Sequence, residues 1–319
     1  MKKVGFIGIA LMLCVPSLAG AEEAAAPAEE ASSGVSVSGF IDTSAYMPFT
    51  GVADADKKVS FGVDQVELDF VSSPVSGLTV RADLNVFPAG GAVLADDLIE
   101  QAYLEYYFNG GSDGFSLTVG KTNAPIGIEV LDPVDMYQYS HGLLFSYATP
   151  SNLTGVFAGY DDGAISAKVW VANDWDTPSS PDLPNFGGRF QYGFEDLGHV
   201  GLSTTFEQGT DALMVDLDSA LTFGDVTLFV EANMGMVDSE VAIGALGKVN
   251  YAISDSYSVT GRFDYLDQSK TGGYKGMSGT GAFLFAVNDN FIGAVEVRAD
   301  MPDGGDTAVA GAVELIASF

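Results

Sequence analysis

Few residues in the chain have the types and spacing that catalysis requires. The sequence contains two histidines, His141 and His199, and neither has a His or Cys partner at the spacing of a metal site. No Gly-x-Ser-x-Gly or P-loop pattern is present. A hydrolase in which one of the histidines meets a Ser from another segment remains an alternative. The sequence favours a protein with no enzymatic activity, no cofactor and no metal site.

Acidic residues are abundant, and several stand close together in segments that predict loops. Such carboxylates could bind Ca²⁺ or bridge lipopolysaccharide through divalent ions, but they lack the spacing of an EF-hand loop. We interpret them as solvated loop charges. The pairs are Asp54 and Asp56, Asp96 and Asp97, and Asp303 and Asp306.

Many other charged residues lie in segments where apolar and polar residues alternate. Within each segment the charges share one face, and the other face stays uncharged over ~10 residues, the length of one tilted membrane crossing. An Arg or Lys facing lipid at the midplane would cost about 2–4 kcal/mol, so the charged face should line a polar lumen. We predict that the lumen lining includes Asp42, Glu67, Asp69, Arg81, Asp83, Glu105, Lys168, Arg189, Lys248, Arg262, Asp264, Glu296 and Arg298.

Alternation with a period of two predicts β-strands. Between residues 78 and 86, for example, Leu78, Val80 and Leu84 share one face, and Thr79 and Arg81 share the other. About sixteen such segments follow one another from residue 35 to residue 319. A soluble two-sheet sandwich shows the same alternation. The one-sided placement of charge favours an all-β, transmembrane, up-and-down antiparallel barrel with a water-filled lumen.

The chain ends in an alternating segment whose last residue is Phe319. This ending resembles that of outer-membrane β-barrels, which implies that Phe319 is part of the signal read by the barrel assembly machinery. The connections between predicted strands alternate between tight and long, as an outer-membrane barrel requires. An even number of strands returns Phe319 to the side of the tight turns and the N-terminal leader.

The N-terminal region predicts export from the cytoplasm. Lys2 and Lys3 precede an apolar stretch and a small-residue cleavage pattern, so residues 1–21 are predicted to be a signal peptide. Lipidation at Cys14 is a less favoured alternative because Leu13 fits a lipobox poorly. Residues 22–34 form an acidic low-complexity lead-in, and 35–319 the barrel. After cleavage 11 basic residues (13 less Lys2 and Lys3) face 43 acidic ones, a net charge of −32, which excludes nucleic acid as a partner.

The longest irregular segment, residues 123–152, interrupts the alternation. Its aliphatic residues argue against disorder, and loops of this length are often functional. We predict an inserted constriction loop that folds against the inner wall and narrows the pore, with Glu129, Asp132 and Asp135 placing negative charge there. Alternatively, residues 142–149 form one more strand or cap the mouth from outside.

Residues 120–160 resemble the OmpL-like β-barrel porin family. The matching features include Gly120-Lys121, Ala124-Pro125-Ile126-Gly127 with Glu129, and Asp132-Pro133. Later stretches, VANDWD at 171–176 and GGRFQY at 187–192, are also similar to that family. The resemblance implies a passive outer-membrane pore and supplies no residue-level active site.

These observations together predict an outer-membrane porin of a Gram-negative bacterium. We expect passive diffusion of small hydrophilic solutes and ions, with weak cation selectivity because lumenal carboxylates attract cations. Arg81, Arg189, Arg262 and Arg298 on the same face oppose that preference. The alternative is a structural or surface-interaction barrel with a plugged lumen. The expected partners are outer-membrane lipid and lipopolysaccharide, the assembly machinery and the solutes, with a homotrimer left open.

Overall fold

The structure, a computed structural model, describes residues 32–51, 58–86, 98–177 and 184–319. The predicted signal peptide and the acidic pairs at 54/56 and 96/97 lie outside these residues. The first strand begins at Ser32, so residues 32–34 of the predicted lead-in belong to the barrel sheet. No helix in the described ranges is both long enough and apolar enough to cross a membrane.

Sixteen antiparallel strands form one closed barrel, as the sequence predicted. Each strand pairs with its neighbours in the chain, and the first pairs with the last, so the sheet has no free edge. The strands are β1 Ser32–Thr50, β2 Ser60–Val75, β3 Leu78–Asn85, β4 Ile99–Tyr107, β5 Gly114–Asn123, β6 Asn152–Asp161, β7 Ile165–Ala172, β8 Asn185–Phe194, β9 Gly198–Glu207, β10 Ala212–Phe223, β11 Val226–Val237, β12 Glu240–Ser254, β13 Tyr257–Asp267, β14 Lys275–Asn288, β15 Phe291–Pro302 and β16 Ala308–Ser318.

The closure joins β1 to β16 along most of their length. Ala45 pairs with Val313, and Phe40 pairs with Ser318. Beyond the strand, the N–H of Phe319 donates to the carbonyl of Gly39 at 3.0 Å, and the N–H of Gly39 donates to the carbonyl of Phe319 at 3.2 Å. The C-terminal residue is therefore held by the seam, while its ring remains exposed.

Strand β12 shows the two different faces that the sequence pattern predicted. In β12, Ile243 and Val249 on the outer face are about half exposed (50% and 45%), whereas Leu246 and Lys248 on the inner face are 3% and 4% exposed. A lysine is thus enclosed while aliphatic side chains cover the outside. This inversion of a soluble protein's arrangement is the one that a lipid environment stabilises.

The two ends of the barrel have different connections. At one end, turns such as Ser76-Gly77 and Gly224-Asp225 join consecutive strands within a few residues. The opposite end carries the longer connections, including the one between β5 and β6. The link between β11 and β12 is an exception, because only Asp238 and Ser239 connect them. Both have positive φ (51° and 70°), the backbone of a type I′ hairpin turn.

The connection between β5 and β6, residues 124–151, lies inside the barrel, and we call it the inserted segment. It contains a 3₁₀ turn, Pro133–Asp135, and a short helix, α1, Leu143–Tyr147. Leu144 of α1 is fully buried and packs in a cluster with Leu246 of β12. The alternative of an additional strand over 142–149 is therefore wrong, because these residues turn into a helix whose apolar side chains pack on the inner wall.

Candidate functional site

Glu129 attaches the inserted segment to one side of the lumen. Its Oε1 lies 2.9 Å from Nη1 of Arg262 on β13 and 3.8 Å from Nζ of Lys248 on β12. The amide of Gln138 donates to Oε1 at 2.8 Å, and the N–H of Gly142 donates to Oε2 at 2.6 Å. The carboxylate therefore bonds both to the barrel wall and to its own segment.

The charge of Glu129 is neutralised where it lies. Burial alone would raise the pKa of this carboxyl, but the Lys248 ammonium and the Arg262 guanidinium hold the pKa below its ordinary value. Glu129 is thus ionised and enclosed. Its negative charge is compensated by two cations within 4 Å, so it acts on the position of the segment more than on passing ions.

A second set of contacts holds the segment at residues 140 and 141. Nη1 of Arg262 donates to the carbonyl of Ser140 at 2.6 Å, and Arg298 on β15 donates to the carbonyl of His141. The N–H of Ser140 donates to Glu296 at 3.1 Å. We call Lys248, Arg262 and Arg298 the basic ladder, because these three inward-facing cations bind the segment from successive parts of the wall.

His141 is a structural residue of the segment. Its Nε2 lies 2.8 Å from the carbonyl of Val130, and its ring stacks on Phe145 with centroids 4.0 Å apart. Burial lowers the pKa of the imidazole, against the opposing effect of Glu129. At neutral pH the ring is therefore uncharged and can donate to Val130.

Backbone geometry explains why the segment contains glycine at residue 127. Gly127 has φ of 81°, and a Cβ there would lie 3.0 Å from Oε1 of Glu231 on β11. Its conformation lets the N–H of Ile128 donate to Oε2 of Glu231 at 3.2 Å. The Ala-Pro-Ile-Gly stretch is therefore a turn that docks on the wall, and the positive φ favours glycine.

The other side of the segment faces β1 to β4. The hydroxyls of Tyr139 and Ser44 of β1 lie 3.3 Å apart. Asp132 is buried (6% exposed), whereas the Asp135 side chain remains accessible to water within the barrel. Protein atoms around Asp135 inside the barrel displace part of its hydration, which raises the pKa of its carboxyl, and Arg81 partly offsets this effect. The segment thus reaches both sides of the lumen.

Carboxylates dominate the wall that Tyr139 approaches. We call this surface, formed by β16 and β1–β4, the acidic wall. Arg81 is paired there with Asp83 at 2.8 Å, so part of the negative charge is compensated. The wall comprises Asp42, Asp64, Glu67, Asp69, Asp83, Glu100, Glu105 and Glu314. These carboxylates therefore lie on a different part of the circumference from the three cations of the basic ladder.

Two β-bulges add acidic residues to this wall. In β2, Gln65 pairs with Asp42 and Val63 pairs with Thr43, which leaves Asp64 as the extra residue. In β4, Gln101 pairs with Asp83 and Ile99 pairs with Leu84, which leaves Glu100 as the extra residue. A bulge lets two consecutive side chains depart from strict alternation. Sequence reasoning missed Asp64 and Glu100, although the adjacent polar pairs Asp64-Gln65 and Glu100-Gln101 were a usable signal.

Every residue predicted to line the lumen lies on the inner face. Most are buried, and Asp69, Arg81, Lys168 and Arg298 are partly exposed. Two of them, Lys168 and Arg189, are direct cross-strand neighbours. Among the predicted constriction residues, Glu129 lies against the basic ladder, whereas Asp132 lies near the acidic wall. Their ionic environments are therefore different.

The two histidines are in different surroundings. His199 lies 3.4 Å from Asp218, outside hydrogen-bonding geometry, and Arg189 binds Asp218 at 2.6 Å. Across the described ranges, neither imidazole is hydrogen-bonded to a Ser or Thr hydroxyl. The Ser–His pair of a hydrolase is therefore not formed by these residues.

A cavity of about 280 Å³ adjoins the inserted segment on the side of the tight turns. Pro133, Met136 and Tyr137 form one side of it, and residues at the tight-turn ends of several strands from β10 to β16 form the rest. This volume is many times that needed for a water molecule. Side chains therefore do not fill the lumen on this side of the segment.

Comparisons with known proteins agree with this architecture. A family model described as "Putative beta-barrel porin-2, OmpL-like" matches residues 35–311. A comparison with curated protein sequences finds no match.

Several solved structures share the fold. A loop-deletion mutant of OmpT, an outer membrane protein of Vibrio cholerae, superposes with a TM-score of 0.66 at 12% identity, covering 90% of this chain and 99% of that one. The outer membrane channel DcaP of Acinetobacter baumannii gives 0.64 at 15% identity, covering 92% and 99%. An anion-selective porin from Comamonas acidovorans gives 0.61 at 13% identity, covering 90% and 99%. Identities this low show a common fold only. Since the family model covers nearly the whole barrel, the chain belongs to the OmpL-like β-barrel porin family of the Gram-negative outer membrane.

Proposed function

We propose that the chain is a passive diffusion channel for small hydrophilic solutes and ions, with a weak preference for cations. The observation that carries this proposal is the acidic wall beside the inserted segment. The cations of the basic ladder are largely occupied by Glu129 and by carbonyl groups of the segment. Carboxylates are thus the charges that remain to act on a permeating ion, and rings of carboxylates favour cations.

In this proposal Asp132 and Asp135 place negative charge where the inserted segment narrows the pore, and Glu129 holds the segment in place. Asp135 is the accessible carboxylate of the three. A solved neighbour of the same fold, from Comamonas acidovorans, is an anion-selective porin. Selectivity must therefore come from side chains and not from the fold.

The test is a reversal-potential measurement in planar bilayers under a KCl gradient. We expect the sign that corresponds to cation preference, weakening at high salt as screening increases. Asp135→Asn should reduce the preference, whereas Asp303→Asn, which removes the same charge from an exposed connection between β15 and β16, should leave it nearly unchanged. Anion preference in the unmodified protein would refute the proposal.

A plugged barrel is the second candidate, and one observation favours it. The inserted segment touches Ser44 on one side of the lumen and Arg262 and Arg298 on the other. Deleting residues 128–148 distinguishes the two candidates. A channel should conduct before the deletion and conduct more after it, whereas a plugged barrel should conduct only after it. Equal conductance of both proteins would remove the constriction role.

Assembly is a further part of the proposal. One solved neighbour is the trimer form of the Vibrio cholerae outer membrane protein OmpT, and we propose a homotrimer here as well. The exposed ring of Phe319 at the seam suits the proposed signal for the assembly machinery. Chemical cross-linking in native membranes tests the trimer, and the assembled fraction of a Phe319 deletion tests the signal.

A further inference from the structure

Three carboxylates meet where the inserted segment approaches the acidic wall. Glu67 comes from β2, Glu100 from β4 and Asp132 from the segment. One oxygen from each lies within 4.8 Å of the others, and the three side chains are 1%, 5% and 6% exposed. Two ligands on opposite sides of a Ca²⁺ ion are about 4.6–5.2 Å apart. The oxygens therefore fit within a single coordination sphere.

The position of Glu100 depends on the bulge in β4. Ile99, one residue before it, is on the outer face and 41% exposed, whereas both Glu100 and Gln101 are buried on the inner face. Regular alternation would place only one of these two side chains in the lumen. Bulges commonly re-aim a side chain next to a functional site. The bulge in β4 therefore places the carboxylate of Glu100 beside the other two.

Glu100 also has an oxygen without a partner. Its Oε1 is buried and accepts no hydrogen bond from the described residues, while Oε2 accepts one from the Gln65 amide at 3.4 Å. A buried, unsatisfied carboxylate oxygen is costly, and an ion or a water that completes the site is one explanation for it. Neither Glu67 nor Glu100 forms a salt bridge with a Lys or Arg in the described part of the chain.

A neighbouring group of three carboxylates has a different ionic environment. Glu67, Asp69 and Asp83 also bring three oxygens together. In that group Asp83 accepts two hydrogen bonds from Nε of Arg81, at 2.8 and 2.9 Å, and one from Gln101 at 2.7 Å. A protein cation thus already compensates the second group.

We propose that Glu67, Glu100 and Asp132 bind a divalent cation, with Ca²⁺ as the preferred ion. Carboxylate oxygens are ligands for hard cations, and Ca²⁺ tolerates the irregular geometry that three chain segments provide better than Mg²⁺, which requires a near-ideal octahedron. The ion would connect the inserted segment to β2 and β4. It would do so opposite the basic ladder, so the segment would be held by cations on both sides. Binding does not depend on whether the lumen conducts.

The test is Ca²⁺ titration by isothermal calorimetry of the full chain, refolded in detergent from inclusion bodies and so free of lipopolysaccharide. We expect one saturable site per chain in the unmodified protein, with weaker binding of Mg²⁺. Glu100→Gln should weaken Ca²⁺ binding by about tenfold or more, because affinity depends on the number of charged ligands. Glu105→Gln is the matched control, since it removes a buried carboxylate from the same strand and should retain the site.

A second measurement separates loss of the site from loss of the fold. Heat-modifiability on gels confirms that each variant forms the barrel, and the protease sensitivity of residues 128–148 is then followed with Ca²⁺ or with chelator. Ca²⁺ should protect the segment in the unmodified protein and in Glu105→Gln, but not in Glu100→Gln or Asp132→Asn. Absence of saturable binding, or equal binding by Glu100→Gln, would overturn the proposal and indicate that the carboxyl groups share protons instead.

Discussion

Replacing Glu129 with Gln tests how the inserted segment is held. Glu129 and its partner Arg262 are almost completely buried, with side-chain exposures of 2% and 0%. The small contribution to stability that is typical of exposed ion pairs therefore does not apply here. Removing one partner of a buried ion pair costs about 3–5 kcal/mol of stability. Arg262 would keep Asp264, 3.0 Å from its Nε, whereas Lys248 would lose the carboxylate nearest to it.

That energy corresponds to a shift of roughly two to three and a half orders of magnitude in the equilibrium between docked and released segment. We expect Glu129→Gln to accelerate proteolysis of residues 128–148 in detergent micelles and to increase current noise and mean conductance in bilayers. Glu240→Gln is the control, because it removes the same charge from an exposed position at the start of β12.

The refuting result is specific. If Glu129→Gln and Glu240→Gln were cleaved at the rate of the unmodified protein, with unchanged conductance, the pairing with Lys248 and Arg262 would contribute nothing to docking. The segment would then be held by its apolar contacts alone.

Three other predictions follow from the geometry. The pKa of Glu129 lies below its ordinary 4.5, so its contribution to docking is present above about that pH and is lost as the pH falls through the lowered pKa. The pKa of His141 lies below 6.5 in the docked segment, so the released segment binds a proton at a higher pH than the docked one, and docking weakens below about pH 6.5. Because both groups act in the same direction, protease sensitivity should rise on acidification from pH 7 to 4. Leu144→Ala should destabilise docking by about 2–5 kcal/mol, because Leu144 is fully buried, and unchanged protease sensitivity would contradict the packing described for α1. Ser239→Gly should stabilise the barrel by about 0.5–1 kcal/mol, since φ of 70° is unfavourable for Ser, and a lowered melting temperature on differential scanning calorimetry would contradict this.

The barrel could be predicted from the sequence because one local rule decides most of it. Side chains alternate with a period of two, and lipid allows no charge on the outer face, so Lys248 and Arg262 had to face inward. The number of strands follows from counting such segments, and it is correct. Strand ends are less well determined, as Ser32 at the start of β1 shows, because small polar residues fit either a strand or a loop.

The arrangement inside the lumen could be predicted only in part. Nothing local indicates that Glu129 meets Arg262, 133 residues away in the chain, because that contact depends on how far the segment reaches across the barrel. The bulges at Asp64 and Glu100 were missed for a different reason. Strict alternation has no place for an extra residue, although two consecutive polar residues in a strand were the local sign of one.

The bulge at Glu100 also has a consequence for how such a lumen can change. Inserting one residue into a regular strand normally turns every later side chain over, which would expose charges to lipid. When the added residue is absorbed as a bulge, the orientation of its neighbours is kept, and the interior gains one functional group. Small insertions of a single codon are therefore tolerated at such positions, and the ionic character of the passage can be altered stepwise while the hydrocarbon-facing surface stays the same.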